Sequence, residues 1–349
     1  MTRFSPDLLQ GSNDETLPET PEEEVAASPN RAVLTIRRLF ANRGAGVGLV
    51  VLILLFVFAF IGPLVTPWSF SHIDYLNLSK PPSGTHWFGT NTIGQDVFAQ
   101  TARGMQKSLL IGLFVALFST VIAGLLGSMA GYFGGWTDRI IMFVVDLMLV
   151  LPSFLIVAIL SPRFRQFGWV ALIVLLAVFG WMITARVVRS MTLSVKEREF
   201  VRAARYMGIG HFRIILRHIL PNVASFLVVD ASIAIGSAVL TEAGLSYFGF
   251  GVQSPDVSLG TLIANNQDAA LTKPWLFYFS AGALVVFALA SNLLGDGLRD
   301  ALDPTSTAGR KGRRRRRTGV DSKPAGRVTA MTATDTPTPE KIRKAGRDR

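Results

Sequence analysis

From Val47 to Val65 the chain carries no charged side chain. A helix crosses the hydrocarbon of a bilayer with about 20 mostly apolar residues, so this stretch ties the chain to a membrane before anything else about it is known. Similar stretches follow at Leu109–Ala130, Ile140–Leu160, Val170–Ala185, Val223–Leu245 and Trp275–Leu294, the third with Asp146 inside it and the fifth with Asp230 and Glu242. Half of the residues are hydrophobic and the mean hydropathy is +0.40, which is high for a soluble protein and ordinary for a membrane protein. The expected fold is an all-α polytopic membrane protein with six transmembrane helices.

Six spans place both ends of the chain on one side, and the basic residues choose which. With cytosolic termini, the inner segments 31–43, 131–139, 186–221 and 299–317 hold 21 Lys and Arg. The outer segments hold six: Lys80, Arg103, Lys107, Arg163, Arg165 and Lys273. Both termini are therefore expected in the cytosol. The first apolar run starts too far into the chain, and without a small-residue cleavage site, for a secretory signal peptide. It is long enough to stay as an anchor.

Residues 1–44 are acidic and proline-containing over the first thirty, and 305–349 are basic around Arg313–Arg317. Both stretches lack apolar periodicity and are expected to be disordered tails. A basic stretch after a membrane span is expected to lie against anionic lipid headgroups, at about 1 kcal/mol per basic side chain. A nucleic-acid arm is the alternative, and no nucleic-acid partner is expected. Between the tails, 45–104 holds the first span and a long outer loop, and 105–304 holds a five-helix core. The loop from Thr66 to Arg103 contains Pro67, Pro81 and Pro82 with Trp68, Phe70, Tyr75 and Trp87, a composition suited to aromatic anchoring at the interface or to receiving a binding protein.

The core is interrupted by the basic segment 190–221. Glu197–Met207 and His211–Leu220 read as two short helices broken at Gly208 and Gly210, and Pro221 separates them from the fifth span. Arg198, Arg202 and Arg205 share one face of the first helix, with Phe200, Ala203, Ala204 and Met207 largely opposite. Arg213 and Arg217 oppose Phe212, Ile215 and Ile219 on the second. Periodicity leaves two readings open: an interfacial pair with its apolar face in lipid, or a docking element for a cytosolic partner.

Chemistry inside the chain is sparse. There are no cysteines, which excludes disulfides, thiolate metal sites and cysteine nucleophiles. The histidines show no metal-ligand spacing, no nucleophile elbow is present, and Gly309–Gly312 has the wrong spacing for a phosphate loop. Neither a catalytic site nor a bound cofactor is expected. Asp146 and Asp230 are expected to pair within the bundle ahead of contacting substrate. Glu242 stands between a gate and a pathway lining. Gly127 and Gly131 form a GxxxG suited to close helix packing, and Pro152 is expected to kink the third span. No broken mid-span helix beyond that kink is evident.

Ala203-Ala204, Gly208 and Ile219-Leu220-Pro221 are spaced as in the "EAA…G…ILP" signature and resemble the loop of ABC importer permease subunits, with Arg202 in the Glu position. "HWFGTNTIGQDVFAQTARGMQKSLLIGL" (His86–Leu113) resembles the "FGTD-x-x-GRD" segment of the dipeptide/oligopeptide/nickel branch, in its second, C-type permease, with Asn91 and Gln95 for Asp and Arg. "LTEAGLSYFGFGVQSPDVSLGTLI" (Leu240–Ile263) and "NLLGDGLRDALDP" (Asn292–Pro304) resemble two further stretches of that branch, so the resemblance covers most of residues 45–304.

The resemblance implies a type-I importer topology in a bacterial cell membrane. It also implies a second homologous permease, two ATPase subunits that use the ATP, and an extracytoplasmic binding protein. Arg202, Ala203, Ala204, Gly208, Gly210, Ile219, Leu220 and Pro221 would then form the ATPase-coupling loop. Peptide is the expected substrate and nickel the alternative. An ion-driven transporter or channel with Asp146, Asp230 and Glu242 as a relay is the rival from another class. Deleting 310–349 is expected to leave solute uptake nearly intact in whole cells, whereas a nucleic-acid arm would make the deletion abolish function.

Overall fold

The computed structural model describes residues 39, 40 and 42–302; the basic tail, and the acidic stretch apart from its last few residues, lie outside the described residues. Helices α1 (Arg43–Val65), α2 (Val97–Phe133) and α3 (Gly135–Val150) come first. They are followed by α4 (Ser153–Leu160) with a 3-10 turn to Phe167, α5 (Trp169–Gly180), α6 (Met182–Val195) and α7 (Glu199–Tyr206). Helix α8 (His211–Ile214) runs through a π-helical turn, Ile215–Ile219, into α9 (Leu220–Tyr247), and α10 (Leu259–Asn266) and α11 (Pro274–Leu302) complete the bundle. Four helical runs are long and apolar enough to cross a membrane, and two bent pairs bring the number to six if each is one span.

The bundle is built around α2. Its 37 residues extend about 55 Å, and α1, α3, α5, α6, α9, α10 and α11 all touch it. It begins at Val97, well before the apolar stretch that announces it, because Asp96 caps its first turn by accepting from the Ala99 N–H at 2.7 Å. Arg103 and Lys107 consequently stand on this helix and not in a loop. Toward the other end, a Cβ on Gly127 would lie 2.6 Å from the Ala185 carbonyl, and one on Gly131 would lie 2.7 Å from that of Arg189. The GxxxG is thus the seam along which α2 and α6 meet backbone to backbone.

Two of the expected straight spans are broken. Helices α3 and α4 meet at 80°, a far sharper break than a kink. Pro152 removes a backbone donor and drives the residue before it out of the helical region, and Leu151 sits at φ −74°, ψ 132°. Helices α5 and α6 meet at 42° at Gly180 and Trp181, where the buried indole packs with Ala123, Val145 and Met182. Because α6 continues to Val195, Arg186 and Arg189 lie on a helix beside α3, where Arg186 pairs with Asp146 and Arg189 with Asp138. The arginines at the start of the segment expected to be cytosolic thus continue a helix that packs beside α3.

Pro221 does not separate the basic segment from the fifth span. His211–Tyr247 is one run of 37 residues. The Leu220 N–H reaches back to the Ile215 carbonyl, and this wider π turn passes the chain into α9 just before the proline, which takes a first-turn position where its missing donor costs little.

A side chain at the α2–α6 seam forces the two backbones apart, an overpacking cost of about 1–3 kcal/mol. Gly131→Val is therefore expected to lower the midpoint of thermal unfolding in detergent, whereas Gly46→Val, at a position with nothing within 4 Å, should leave it in place.

Candidate functional site

The segment 197–220 is an ordered element held on the end of α2. Val201 and Ala204, three residues apart on α7, are buried against Tyr132, Val195, Ile214, Ile215 and Ile219. The Tyr132 hydroxyl lies 2.9 Å from His211 Nδ1, the Arg205 guanidinium stands over the same ring at 5.4 Å from its centroid, and Lys196 Nζ donates to the Gly131 carbonyl at 3.0 Å.

The turn between α7 and α8 follows from glycine. Gly208 sits at φ +76° with open space around it, its N–H donates to Arg205 O at 3.0 Å, and the Ile209 N–H donates to Ala204 O at 3.2 Å. These two bonds make a Schellman closure, with Ile209 packed on the cluster beneath.

The faces differ from those expected. Phe200, Ala203, Met207 and Phe212 are exposed beside Arg202, Arg205, Arg213 and Arg217, and only Ala204 of the first apolar set is buried. The reason is that the buried face packs on α2, so the face is set by that contact and not by the position of the arginines. Tyr206 is 86% exposed, Met207 71% and Phe212 63%, which leaves a mixed apolar and cationic surface. Of the other residues singled out here, Ile219 is buried, Leu220 half-buried, and Gly208, Gly210 and Pro221 exposed. Tyr132, Lys196 and Val201, which fix the element in place, escape notice in the sequence because they belong to different apolar runs.

The three intramembrane acids do not come together. Asp146 pairs with Arg186, and Asp230 accepts from Thr184 Oγ1 at 2.8 Å. Glu242 is fully buried and accepts from Ser246 at 2.6 Å and Ser108 at 3.3 Å, tying α9 to α2. Asp230 and Glu242 are about 18 Å apart along α9, too far for direct proton transfer. None of the three lines the cavity of about 210 Å³ behind the α3–α4 break, whose walls include Ser119, Ser153, Ser237 and Thr241. Among the described residues no group of three His, Asp or Glu side chains could hold a metal. Ser246, one helical turn after Glu242, is the sequence signal that this acid has a local partner.

At the opposite end of α2 the loop 66–96 is tightly built. His86 is buried between Asp96 at 2.8 Å and Asp74 at 3.5 Å, with Trp68 stacked on it at 4.6 Å. Phe88 stacks on Phe279 at 3.9 Å, and Lys273 Nζ donates to Ser79 at 2.7 Å, so the loop rests on the start of α11. Asn91 and Gln95 form an uncharged pair, Asn91 Nδ2 donating to Gln95 Oε1 at 3.0 Å. Beyond α9, Asp256 binds Arg103 at 2.9 Å and Lys107 at 3.0 Å. Partial burial pushes the Asp256 carboxyl up, but the hydrogen bonds and charges of Lys107 and Arg103 outweigh it and hold the group below its ordinary value.

A helical bundle with four to six apolar spans, two of them bent pairs, is that of a multi-pass membrane protein. Residues 123–307 match the family described as binding-protein-dependent transport system inner membrane component, and the chain belongs to that family. Residues 32–82 match the N-terminal TM domain of oligopeptide transport permease C. The oligopeptide transport system permease protein OppC of Mycobacterium tuberculosis (strain ATCC 25618 / H37Rv) is 53% identical over 284 residues, covering 81% of this chain and 98% of the relative. That of Bacillus subtilis (strain 168) is 36% identical over 267 residues, covering 76% and 87%. A chain of the inward-facing MetNI methionine ABC transporter aligns with 58% of this chain and 96% of its own, at 21% identity and a TM-score of 0.47. The chain is thus an inner-membrane permease subunit, not an enzyme.

Asp256→Asn leaves Lys107, only 7% exposed, without its counter-charge, a loss of about 3–5 kcal/mol for a buried pair. Because the folded carboxyl titrates low, the contribution of this pair is complete above about pH 3.9 and is lost only as the pH falls through the lower folded value. Hydrogen exchange of 248–258 is therefore expected to be equally protected at pH 5 and pH 7, and unprotected at both in the variant.

Proposed function

We propose that this chain is a translocation subunit of an ATP-driven oligopeptide importer, with both termini in the cytosol. It works beside a second homologous permease, two ATPase subunits and an extracytoplasmic binding protein, and ATP is bound by the ATPases. The observation that carries this reading is the 197–220 element: anchored below by Val201, Ala204 and Ile214, and open above at Tyr206, Met207, Phe212 and Leu216. A rigid projection with apolar and cationic side chains suits a groove on a partner better than a lipid surface, because its other apolar face is already covered by protein. Names of relatives matched over 81% and 76% of this chain favour peptide over nickel.

In this reading Ala204, Ile219 and Leu220 hold the element to the bundle. Arg202 and Ala203 face the ATPase, while Gly208, Gly210 and Pro221 set its bends. Closure of the ATPases on ATP draws the docking elements together and opens the spans outward, so that peptide passes from the binding protein into the space between the permeases. Asp146, Asp230 and Glu242 serve as struts within the bundle, which their separate partners support.

Purification in mild detergent should recover an ATPase and a second permease with this chain. A chain that purifies alone and moves solute in liposomes without ATP would overturn the assignment. Gly208→Val puts a β-branched residue at a left-handed φ, at a cost of about 1–2 kcal/mol. The expected result is ATP hydrolysis no longer coupled to uptake, with membrane insertion unchanged.

A further inference from the structure

At the end of the bundle opposite the docking element, a cavity of about 510 Å³ lies between the loop 66–96, the segment 248–258 and α10. This volume is within the range of roughly 300–1,000 Å³ typical of small-ligand sites. Its walls are dominated by amides and hydroxyls. We propose that this cavity is a binding site for an extended stretch of peptide backbone, occupied by cargo on its way into the permease; the inference rests on the oligopeptide reading above.

The chemistry of the wall points to that ligand. Asn91, Gln95 and Gln100 bond to one another, and Gln100 Nε2 donates to Gln95 Oε1 at 2.6 Å. This fixes the Gln95 side chain while leaving its Nε2 without a partner among the described residues. Gln253 spends its Nε2 on the Gly249 and Gly251 carbonyls, each at 3.2 Å, and its Oε1 stays open. Asn266 donates to the Leu262 carbonyl at 2.8 Å, which orients its Oδ1 without using it. Asn265, one residue earlier on α10, has neither end of its amide engaged among the described residues. The cavity therefore presents unspent donors and unspent acceptors on held side chains, the complement of a peptide N–H and C=O.

Charge argues the same way. Asp256 is the one ionisable side chain on the wall, and Arg103 and Lys107 already hold it. A cavity without a free charge selects neither acidic nor basic side chains. Backbone recognition by neutral amides tolerates any sequence, which is what a carrier of diverse peptides requires.

The chain has no cysteine, so Asn265→Cys or Gln253→Cys can each be labelled alone with a photoreactive maleimide. The test uses the complex that copurifies with this chain, reconstituted with its binding protein and given a radiolabelled neutral pentapeptide. Crosslinking of the peptide at both positions, lost with excess unlabelled peptide, is the expected result. Crosslinking of the binding protein alone would overturn the proposal, making the cavity a docking site for that protein. No crosslink while the same peptide is imported would also overturn it, and would leave the oligopeptide reading standing. If the unmodified complex imports no peptide, both readings fall. In unlabelled complex, the pair Gln253→Leu and Asn265→Leu should raise the KM for uptake by roughly five- to tenfold through the lost hydrogen bonds, and an unchanged KM would count against the site.

Discussion

A helix inside hydrocarbon has no water with which to pair its backbone groups, and α2 meets that constraint by running 37 residues without a break. Everything irregular in the molecule leans on it. The 80° corner between α3 and α4 and the bend at Trp181 lie next to this continuous rod, and the bend is filled by side chains packed against it. Its first turn is fixed by Asp96, whose carboxylate caps the helix and also holds His86, so the folded loop 66–96 and the rod share one anchor. Its last turn carries Tyr132, which holds the docking element. The 197–220 element and the loop 66–96 are therefore positioned by one helix.

Close approach makes that arrangement possible. Gly127 and Gly131 let α6 reach the rod, and Gly112 lets α9 do so, a Cβ there falling 2.6 Å from Val239. Without a hydrophobic driving force between helices in lipid, such backbone contact and the hydrogen bonds across it do much of the holding. The ion pairs of Asp138 and Asp146 with Arg189 and Arg186 add polar ties between α3 and α6. Helix α3 needs them, since Val145 is its one buried residue.

Much of this was legible in the sequence. The apolar runs located the spans, the GxxxG pattern located a seam, and Gly208 marked a turn that the backbone closes with φ +76°. Other features were not legible, for physical reasons. Pro152 announces a disturbance but not its angle, which depends on what packs around the corner. The apolar faces of 197–220 were misjudged because a helix in that position is oriented by α2, whose end lies far away in sequence. The start of α2 was missed because its first turns carry Gln100, Arg103 and Lys107, polar residues satisfied by Gln95 and Asp256 rather than by water. The open amides of Gln95, Gln253 and Asn265 belong to three separate segments, and only the fold brings them to one wall.

The π turn at Ile215–Ile219 has a mechanical consequence. By carrying the helix up to Pro221 without a gap, it makes His211–Tyr247 a single stiff lever. Phe212 and Leu216 stand on its long arm, and Glu242 and Ser246 on its short one. Where Gly236 lies against Ser291, and Gly112 of α2 against Ile235 and Val239, neighbouring helices pinch the shaft closely enough to act as a fulcrum. In the proposed importer, a push on Phe212 and Leu216 is then also a displacement beneath the amide-lined cavity, in the opposite sense.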